Sequence, residues 1–517
     1  MLDVIIRNGR IIDGTGSPWF AGDIAVDSGR IIAVGNLGTV KARKVIDAKS
    51  LVVCPGFIDV HNHGEVPLLC DKGFVPELRQ GVTSLLVGVC GIGLAPVTKE
   101  HTQDLRESMG VFYGNEMPDF EWASLREFVD LASGSAVNCG SFIPHGVVRI
   151  AAMGLEDGEP SATQLDTMVS LVREEMQAGA LGLSSGLQYS PACFSNTAEL
   201  LALCKEVARY GGVYATHVRD YQIGIEDALT EAVTIARGSG VTLHISHYAA
   251  SGSNRNRADW LISQIERMRN EGIDVTFDSY PYDGGCGPLT GLMPTHLHRS
   301  GLTGLLKALE CDSVRHDLLN QCRIGRTEWD KVIIGDLMTK KNRNLIGKTI
   351  SDGARLRGQS VADFISSVLI EEQGSITIVN RMGSEEGLRQ IMRHPAQMFG
   401  SDSLLPNRIH PRANGTFARV LGKYVRQEGI LSLENAIRKM TSYPALRFGI
   451  FDRGILRPGM VADVVGFDPK TIIDRATYVD PKLTAEGVDF VLVNGEIALI
   501  NGEPTGRLSG QALVRES

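Results

Sequence analysis

Six side chains able to bind a metal or move a proton stand where short apolar runs of the chain end. His61 and His63 lie two apart in Phe57-Ile58-Asp59-Val60-His61-Asn62-His63, and successive side chains of an extended strand alternate, so both imidazoles fall on one side. Cys90 follows an apolar run in Val87-Gly88-Val89-Cys90-Gly91. His217 closes Tyr214-Ala215-Thr216-His217, His247 closes His244-Ile245-Ser246-His247, and Asp402 closes Gly400-Ser401-Asp402. Each alone has an ordinary explanation: a histidine satisfied in the core, a cysteine acting as a small hydrophobe, an aspartate capping a helix. Together they offer imidazole nitrogen, thiolate sulfur and carboxylate oxygen, a donor set that suits zinc(II). Such an ion makes water acidic near neutrality and polarises a carbonyl, which points to hydrolysis. Asp402 would take the proton from the water and hand it to the leaving nitrogen.

These residues need elements that bring them to one place. Nine short apolar runs, at 56–60, 83–88, 140–143, 180–184, 213–216, 241–246, 274–279, 375–379 and 397–400, alternate with helical stretches such as 162–178, 197–210 and 260–270. That is the pattern of βαβ units and a parallel sheet. An eight-stranded barrel leaves one run over, and 375–379 is the one read as an extra strand. In such a barrel the loops at the carboxyl ends of the strands face one cavity, which is where the six residues fall. The stretch 102–122 reads as a long irregular loop on that face, and about 284–348 as an insertion over the strand ends, placed as a lid would be.

The ends of the chain differ from its middle. Residues 1–54 alternate apolar and polar positions around turns at Asn8-Gly9 and Asp27-Ser28-Gly29, which reads as short antiparallel hairpins. The same style returns over 455–517, in Val464-Val465-Gly466-Phe467 and Phe490-Val491-Leu492-Val493. The reading is therefore one small sheet domain built from 1–54 and 455–517, with the barrel over 55–454.

Composition narrows the partners. In 517 residues, 43% hydrophobic and 22% charged content exclude a disordered chain. A net charge of -8 argues against nucleic acid, whose phosphates need a basic surface. The longest weakly polar run, 85–97, is broken by Gly88, Gly91, Gly93 and Pro96, so no membrane span is expected, and 1–10 shows no signal peptide. Nine scattered cysteines do not form a disulfide framework, and a cytoplasmic protein acting on a small molecule is expected. The sequence allows a homo-oligomer and does not fix the oligomeric state.

Pro55-Gly56-Phe57-Ile58-Asp59-Val60-His61-Asn62-His63, with the split sheet domain, resembles the amidohydrolase superfamily. Further motifs resemble its N-acyl-D-amino-acid deacylase branch: Gly81-Val82-Thr83 leading to Cys90-Gly91, Gly182-Leu183-Ser184-Ser185-Gly186-Leu187-Gln188-Tyr189, Thr216-His217-Val218-Arg219-Asp220, Asp278-Ser279-Tyr280-Pro281-Tyr282, and Gly415-Thr416-Phe417. The resemblance implies a (β/α)8 TIM-like barrel with a small β-sandwich. It implies zinc held tightly by Cys90, His217 and His247, and a second, weaker position at His61 and His63 with Asp402 near both. No lysine sits near the fourth strand end, so a carboxylated lysine bridging two metals is not expected, and Cys90 takes that role. The implied reaction is hydrolysis of the amide of an N-acyl-D-amino acid.

The chain departs from that branch where a substrate would be held. Tyr248-Ala249 follows His247, so the lysine usual two positions on is absent; Asp283-Gly284-Gly285-Cys286 replaces a small-hydroxyl stretch; and Tyr221 stands where an acidic residue is usual. A free α-carboxylate would then rest on Arg412, with Tyr189 or Tyr282, and Cys286 would line the pocket. A loop ion pair for Arg412 and plain packing for the tyrosines are the competing readings. His145 reads either as a residue at the cavity edge or as a core hydrogen-bonder, and Arg219 as a structural brace. Three other functions stay open: opening of a cyclic amide such as a hydantoin or dihydropyrimidine, cleavage of a D-residue dipeptide, and a scaffold without catalysis.

Overall fold

A computed structural model describes residues 1–113, 117–299, 301–321, 328–404 and 409–515. Its centre is a barrel of eight parallel strands, all buried or nearly so: β1 (Phe57–Asp59), β2 (Val82–Val87), β3 (Asn138–Ser141, continuing after Phe142 as Ile143–Pro144), β4 (Gly182–Gly186), β5 (Val213–His217), β6 (Thr242–Ile245), β7 (Val275–Ser279) and β8 (Gln397–Phe399). Parallel strands covered on both faces read as continuous apolar runs, which is why they were legible. Each pairs in register with the next, from Asp59 opposite Leu85 to Ser279 opposite Phe399.

The last strand meets the first beyond its end. Ser403 and Leu404 pair with Asn62 and His63, and the Asp402 amide donates to the His61 carbonyl at 2.7 Å. Asp59 locks this seam: it accepts the Ser401 amide at 2.8 Å, the Ser401 hydroxyl at 2.5 Å and the Asn62 side-chain amide at 2.8 Å. Burial pushes its carboxyl up to about 6 in spite of those donors. Closure thus brings Asp402 beside the His-x-His pair.

The ninth run is indeed not a barrel strand. Ile376–Asn380 is the middle of a three-stranded antiparallel sheet with Gly285–Pro288 and Val332–Leu337. With the helices Gly301–Leu309 and Val361–Glu371 that sheet surrounds a core of its own, including Leu289, Leu305, Trp329, Phe364 and Ile378. This folded unit lies between β7 and β8 and runs past Lys348 as far as Asn380.

Strands from both ends of the chain join in one nine-stranded sheet. One face gathers Ile6, Ile24, Val26, Val53, Val464 and Leu492 into a core, while Val52, Cys54, Val465 and Val491 face the barrel-side core. Two sequence expectations fail. Asn8-Gly9 makes no hairpin: Leu2–Ile11 is a single strand with a bulge there, because Asn8 takes a left-handed φ of 59° and its N–H is satisfied by Asp23 at 3.0 Å, so the strand continues. The same strand also pairs in parallel with Ala42–Asp47 and Val52–Pro55, so hairpins alone do not build the sheet. Nor is 102–122 irregular throughout, since Thr102–Tyr113 is a helix that buries Leu105, Met109 and Tyr113, one residue per turn. Among the described residues no helix is long and apolar enough to cross a membrane.

Candidate metal centre

The six residues converge at the carboxyl ends of the barrel strands. Three of them, Cys90 (φ 55°), His247 (φ 34°) and Asp402 (φ 50°), hold a left-handed backbone that non-glycine residues rarely adopt. Such strain concentrates where a fold over-determines a functional position. The turn around Cys90 is fixed by close packing on β4: the Gly91 amide donates to Ser184 Oγ at 2.9 Å, and a Cβ at Gly186 would lie 1.9 Å from the Cys90 carbonyl oxygen.

Cys90 Sγ lies 3.2 Å from His61 Nε2 and 3.5 Å from His247 Nε2, and His247 Nε2 lies 2.9 Å from His217 Nδ1. On the other side of His61, Asp402 Oδ1 is 3.6 Å from His61 Nε2 and 3.5 Å from His63 Nε2. A zinc ion with arms of about 2.0–2.3 Å in tetrahedral array needs donors roughly 3.3–3.7 Å apart. Three of the five separations fall in that range; those of 3.2 and 2.9 Å are shorter, and two imidazole nitrogens facing each other at 2.9 Å can share only one proton between them. His61 belongs to both groups, linking them into one centre.

Electrostatics point the same way. Burial disfavours the Cys90 thiolate, yet the imidazoles of His61 and His247 hold its thiol well below the ordinary range. Burial and the neighbouring His247 push His217 down to about 4, so it is neutral and able to act as a ligand. Burial would raise the Asp402 carboxyl, but Arg412 and then His61 hold it well below the usual carboxylate range. The Arg412 guanidinium, itself buried, sits 2.8 Å from Asp402 Oδ2, stacks over Tyr280 and donates to the Cys286 carbonyl.

Not every expected site residue faces the cavity. Tyr189, Tyr282 and Cys286 line it, with His63, Cys90, His217, His247 and Asp402 at its floor. Arg412 does not; its charge is turned to Asp402. Tyr282 spends its hydroxyl on Asp474 at 3.2 Å. Burial raises the Cys286 thiol to about 12, so it lines the wall as a neutral group. Among the described residues no lysine or arginine lines the cavity, and Asp283 contributes a carboxylate to its rim. His145 is a core residue, bonded to Glu199 at 2.7 Å, and Arg219 braces Glu231 and two carbonyls.

Sequence reasoning missed Asp278, at the end of β7. Its Oδ2 accepts from His61 Nδ1 at 3.2 Å and His244 Nε2 at 2.9 Å, and its Oδ1 accepts the His247 amide at 2.9 Å. A carboxylate on the outer nitrogen of a ligand imidazole fixes its tautomer and leaves the inner nitrogen free to coordinate. The available signal was its place: it ends a barrel strand, as the other site residues do. The packing of Tyr221 on the histidines was also missed; its ring lies 5.0 Å from those of both His217 and His247, and its hydroxyl donates to the Ser246 carbonyl. Glu65 is a third, a buried carboxylate near His63 that accepts the Gly88 amide at 2.8 Å.

The Amidohydrolase family model matches residues 44–279 and 339–499. The D-aminoacylase of Alcaligenes xylosoxydans xylosoxydans is 34% identical over 99% of this chain and 98% of its own. Among solved structures, an N-acyl-D-glutamate deacylase from Bordetella bronchiseptica, complexed with zinc and a phosphonate mimic of the tetrahedral intermediate, superposes with a TM-score of 0.85 at 31% identity, covering 99% of both chains. A D-aminoacylase with a binuclear metal centre gives a TM-score of 0.86 at 32% identity over the whole of both chains.

Proposed function

The chain belongs to the amidohydrolase family, and on that premise we propose that it is a zinc-dependent hydrolase of N-acyl-D-amino acids or their close analogues, releasing a carboxylate and a free D-amino acid. The observation that carries this is the cluster of Cys90, His61 and His247 donors, with His217 Nδ1 2.9 Å from His247 Nε2, beside an ionised Asp402. Relatives alike over their full lengths, a D-aminoacylase and an N-acyl-D-glutamate deacylase, supply the substrate class.

In this reading Cys90, His217 and His247 hold the tight ion, and His61 and His63 with Asp402 offer the weaker position. When bound, the metal supplies a Lewis acid and a water acidic near neutrality. Asp402 starts as the base because Arg412 keeps it ionised. Arg412 occupies Oδ2, so Oδ1, facing His61 and His63, is the atom that takes the proton and returns it to the leaving nitrogen. Arg412 is thus a positioning residue, while Tyr189, Tyr282 and Cys286 shape the wall against the substrate. A reduced Cys90 ligand suits a cytoplasmic enzyme, where thiols stay reduced.

The test is a panel of N-acetyl-D- and N-acetyl-L-amino acids with and without added zinc. Turnover of the D series, lost with the bound zinc in Cys90→Ala, is expected; turnover of neither series refutes the assignment. One observation favours a second reading: the cation-free described wall suits a substrate without a free carboxylate, such as a cyclic amide. Ring opening of a hydantoin or dihydropyrimidine in place of N-acyl turnover would select it.

A further inference from the structure

Beside the candidate metal centre a second, smaller cavity adjoins the main one. The two share Phe112, Gln188, Tyr189 and Gly291 in their walls, so one side chain's thickness separates them. Tyr189 forms the neck: its ring lies 4.9 Å from that of the ligand His217 and meets Phe112 edge-on at 5.1 Å. Gly291 stands opposite, where a Cβ would come within 3.2 Å of the Tyr189 ring.

The surface that this side cavity presents is mostly hydrocarbon. Val111, Phe112, Leu155 and Leu302 present hydrocarbon. Two of the polar groups among them are engaged: Glu107 Oε1 accepts the Thr303 amide and hydroxyl at 3.3 and 3.2 Å, and Ser108 donates to the Ser190 carbonyl; Gln188, Ser190, Thr290 and His298 add further polar groups to the wall. The main cavity is more mixed: beside the apolar Ile378, Met382, Leu388 and Leu404 it carries Gln222, Ser251, Asp283, Asn380 and Ser384. Of the two arms of an N-acyl-amino acid, the acyl arm carries nothing polar past its carbonyl, whereas the amino-acid arm ends in a group that needs polar partners. We infer that the side cavity is an acyl-chain subsite, so that the enzyme takes medium-length fatty acyl groups in preference to acetyl. This rests on the reading of the site as an N-acyl-D-amino-acid hydrolase.

Each methylene buried there is worth about a fourfold gain in kcat/KM. The experiment compares N-acetyl-, N-butanoyl- and N-hexanoyl-D-leucine in the native enzyme and in Val111→Phe and Leu155→Phe, which fill the cavity from two sides. Because the readout is the ratio between two acyl groups within one preparation, loss of folded protein cancels. The hexanoyl to acetyl ratio is expected to exceed about ten in the native enzyme and to fall at least about fivefold in either variant. A native ratio below about two, or a ratio that neither variant lowers, overturns the assignment. So does a preference for D-leucine over D-alanine that vanishes in Val111→Phe, which would give the cavity to the amino-acid side chain. Calorimetric binding of hexanoate and acetate keeps the two readings apart. If no N-acyl substrate turns over, hexanoate binding at least about tenfold tighter than acetate, lost in Val111→Phe, upholds the subsite while the proposed reaction falls; equal binding overturns the subsite too.

Discussion

Replacing Asp278 by asparagine leaves the shape of the side chain and removes its charge, so it isolates what one carboxylate does for the metal centre. In the native protein it makes three contacts, two buried ones to His61 Nδ1 and His244 Nε2 and a partly buried one to the His247 amide. An asparagine can keep its oxygen opposite only one side of that arrangement. With the oxygen on the His247 amide, its NH2 confronts two ring nitrogens that had both been donors. His61 must then move its proton to Nε2, the atom 3.2 Å from Cys90 Sγ, and a protonated nitrogen cannot coordinate. A hydrogen bond to a charged group is worth about 1.5–3 kcal/mol, and loss of a partner behind a ligand histidine typically costs about 10–100-fold in metal affinity. The two figures agree, since about 1.4 kcal/mol is tenfold. The assay is competition for zinc against a chelator of known affinity, with the visible spectrum of the cobalt-substituted protein reporting ligand geometry and circular dichroism reporting the fold. Zinc affinity at the position that includes His61 should fall at least about tenfold, because His61 is the residue tied to Asp278. Affinity unchanged within about twofold, with an unaltered cobalt spectrum, would refute the reasoning.

Gly186→Ala places a Cβ 1.9 Å from the Cys90 carbonyl oxygen, backbone that cannot yield cheaply; zinc content after dialysis should fall sharply, and full retention would contradict the packing argument. Lys439, fully buried, donates from Nζ to the carbonyls of Met392, His394 and Gln397 and to Gln397 Oε1, at 3.0, 2.5, 3.2 and 3.0 Å. Lys439→Met strands those acceptors at the start of β8 and should lower stability by at least ~2 kcal/mol, measured as a shift in urea midpoint. In the metal-free protein His217, brought down to about 4 by burial and His247, refuses a proton that the unfolded chain accepts. Its contribution is complete above pH 6.5 and is lost as pH falls toward 4. His63 has the opposite sign: burial works against its charge, but Asp402 and Cys90 raise it to about 9, so its contribution is complete below pH 6.5 and is lost as pH rises through 9. Histidine NMR titration of the metal-free protein should therefore find His217 neutral and His63 protonated at pH 6.5, and the reverse would contradict it.

Much of the candidate centre could be read from the chain because each candidate ligand sits at or just past the end of a strand whose own pattern is local. Buried parallel strands show as apolar runs, a period of two puts His61 and His63 on one side, and the residue following such a run is the one a barrel presents to its cavity. The misreadings were also local in origin. Asn8-Gly9 carries the signal of a hairpin turn, but Asp23 from the next strand satisfies its amide and makes it a bulge. The buried positions of Thr102–Tyr113 recur only once per turn among polar neighbours, too sparse a stripe to stand out.

What the residues alone determined is the donor set and the strand ends that carry it, since both follow from residue type and short-range period. What only the tertiary structure decided is which charge meets which. Asp278 reaches His61 across 217 residues of chain, and Asp59 secures the Ser401 seam across 342. Arg412 turns to Asp402 instead of into the cavity. Such pairings depend on how the barrel closes and on which buried charge lacks a partner, and neither is written in any stretch of sequence short enough to carry a pattern.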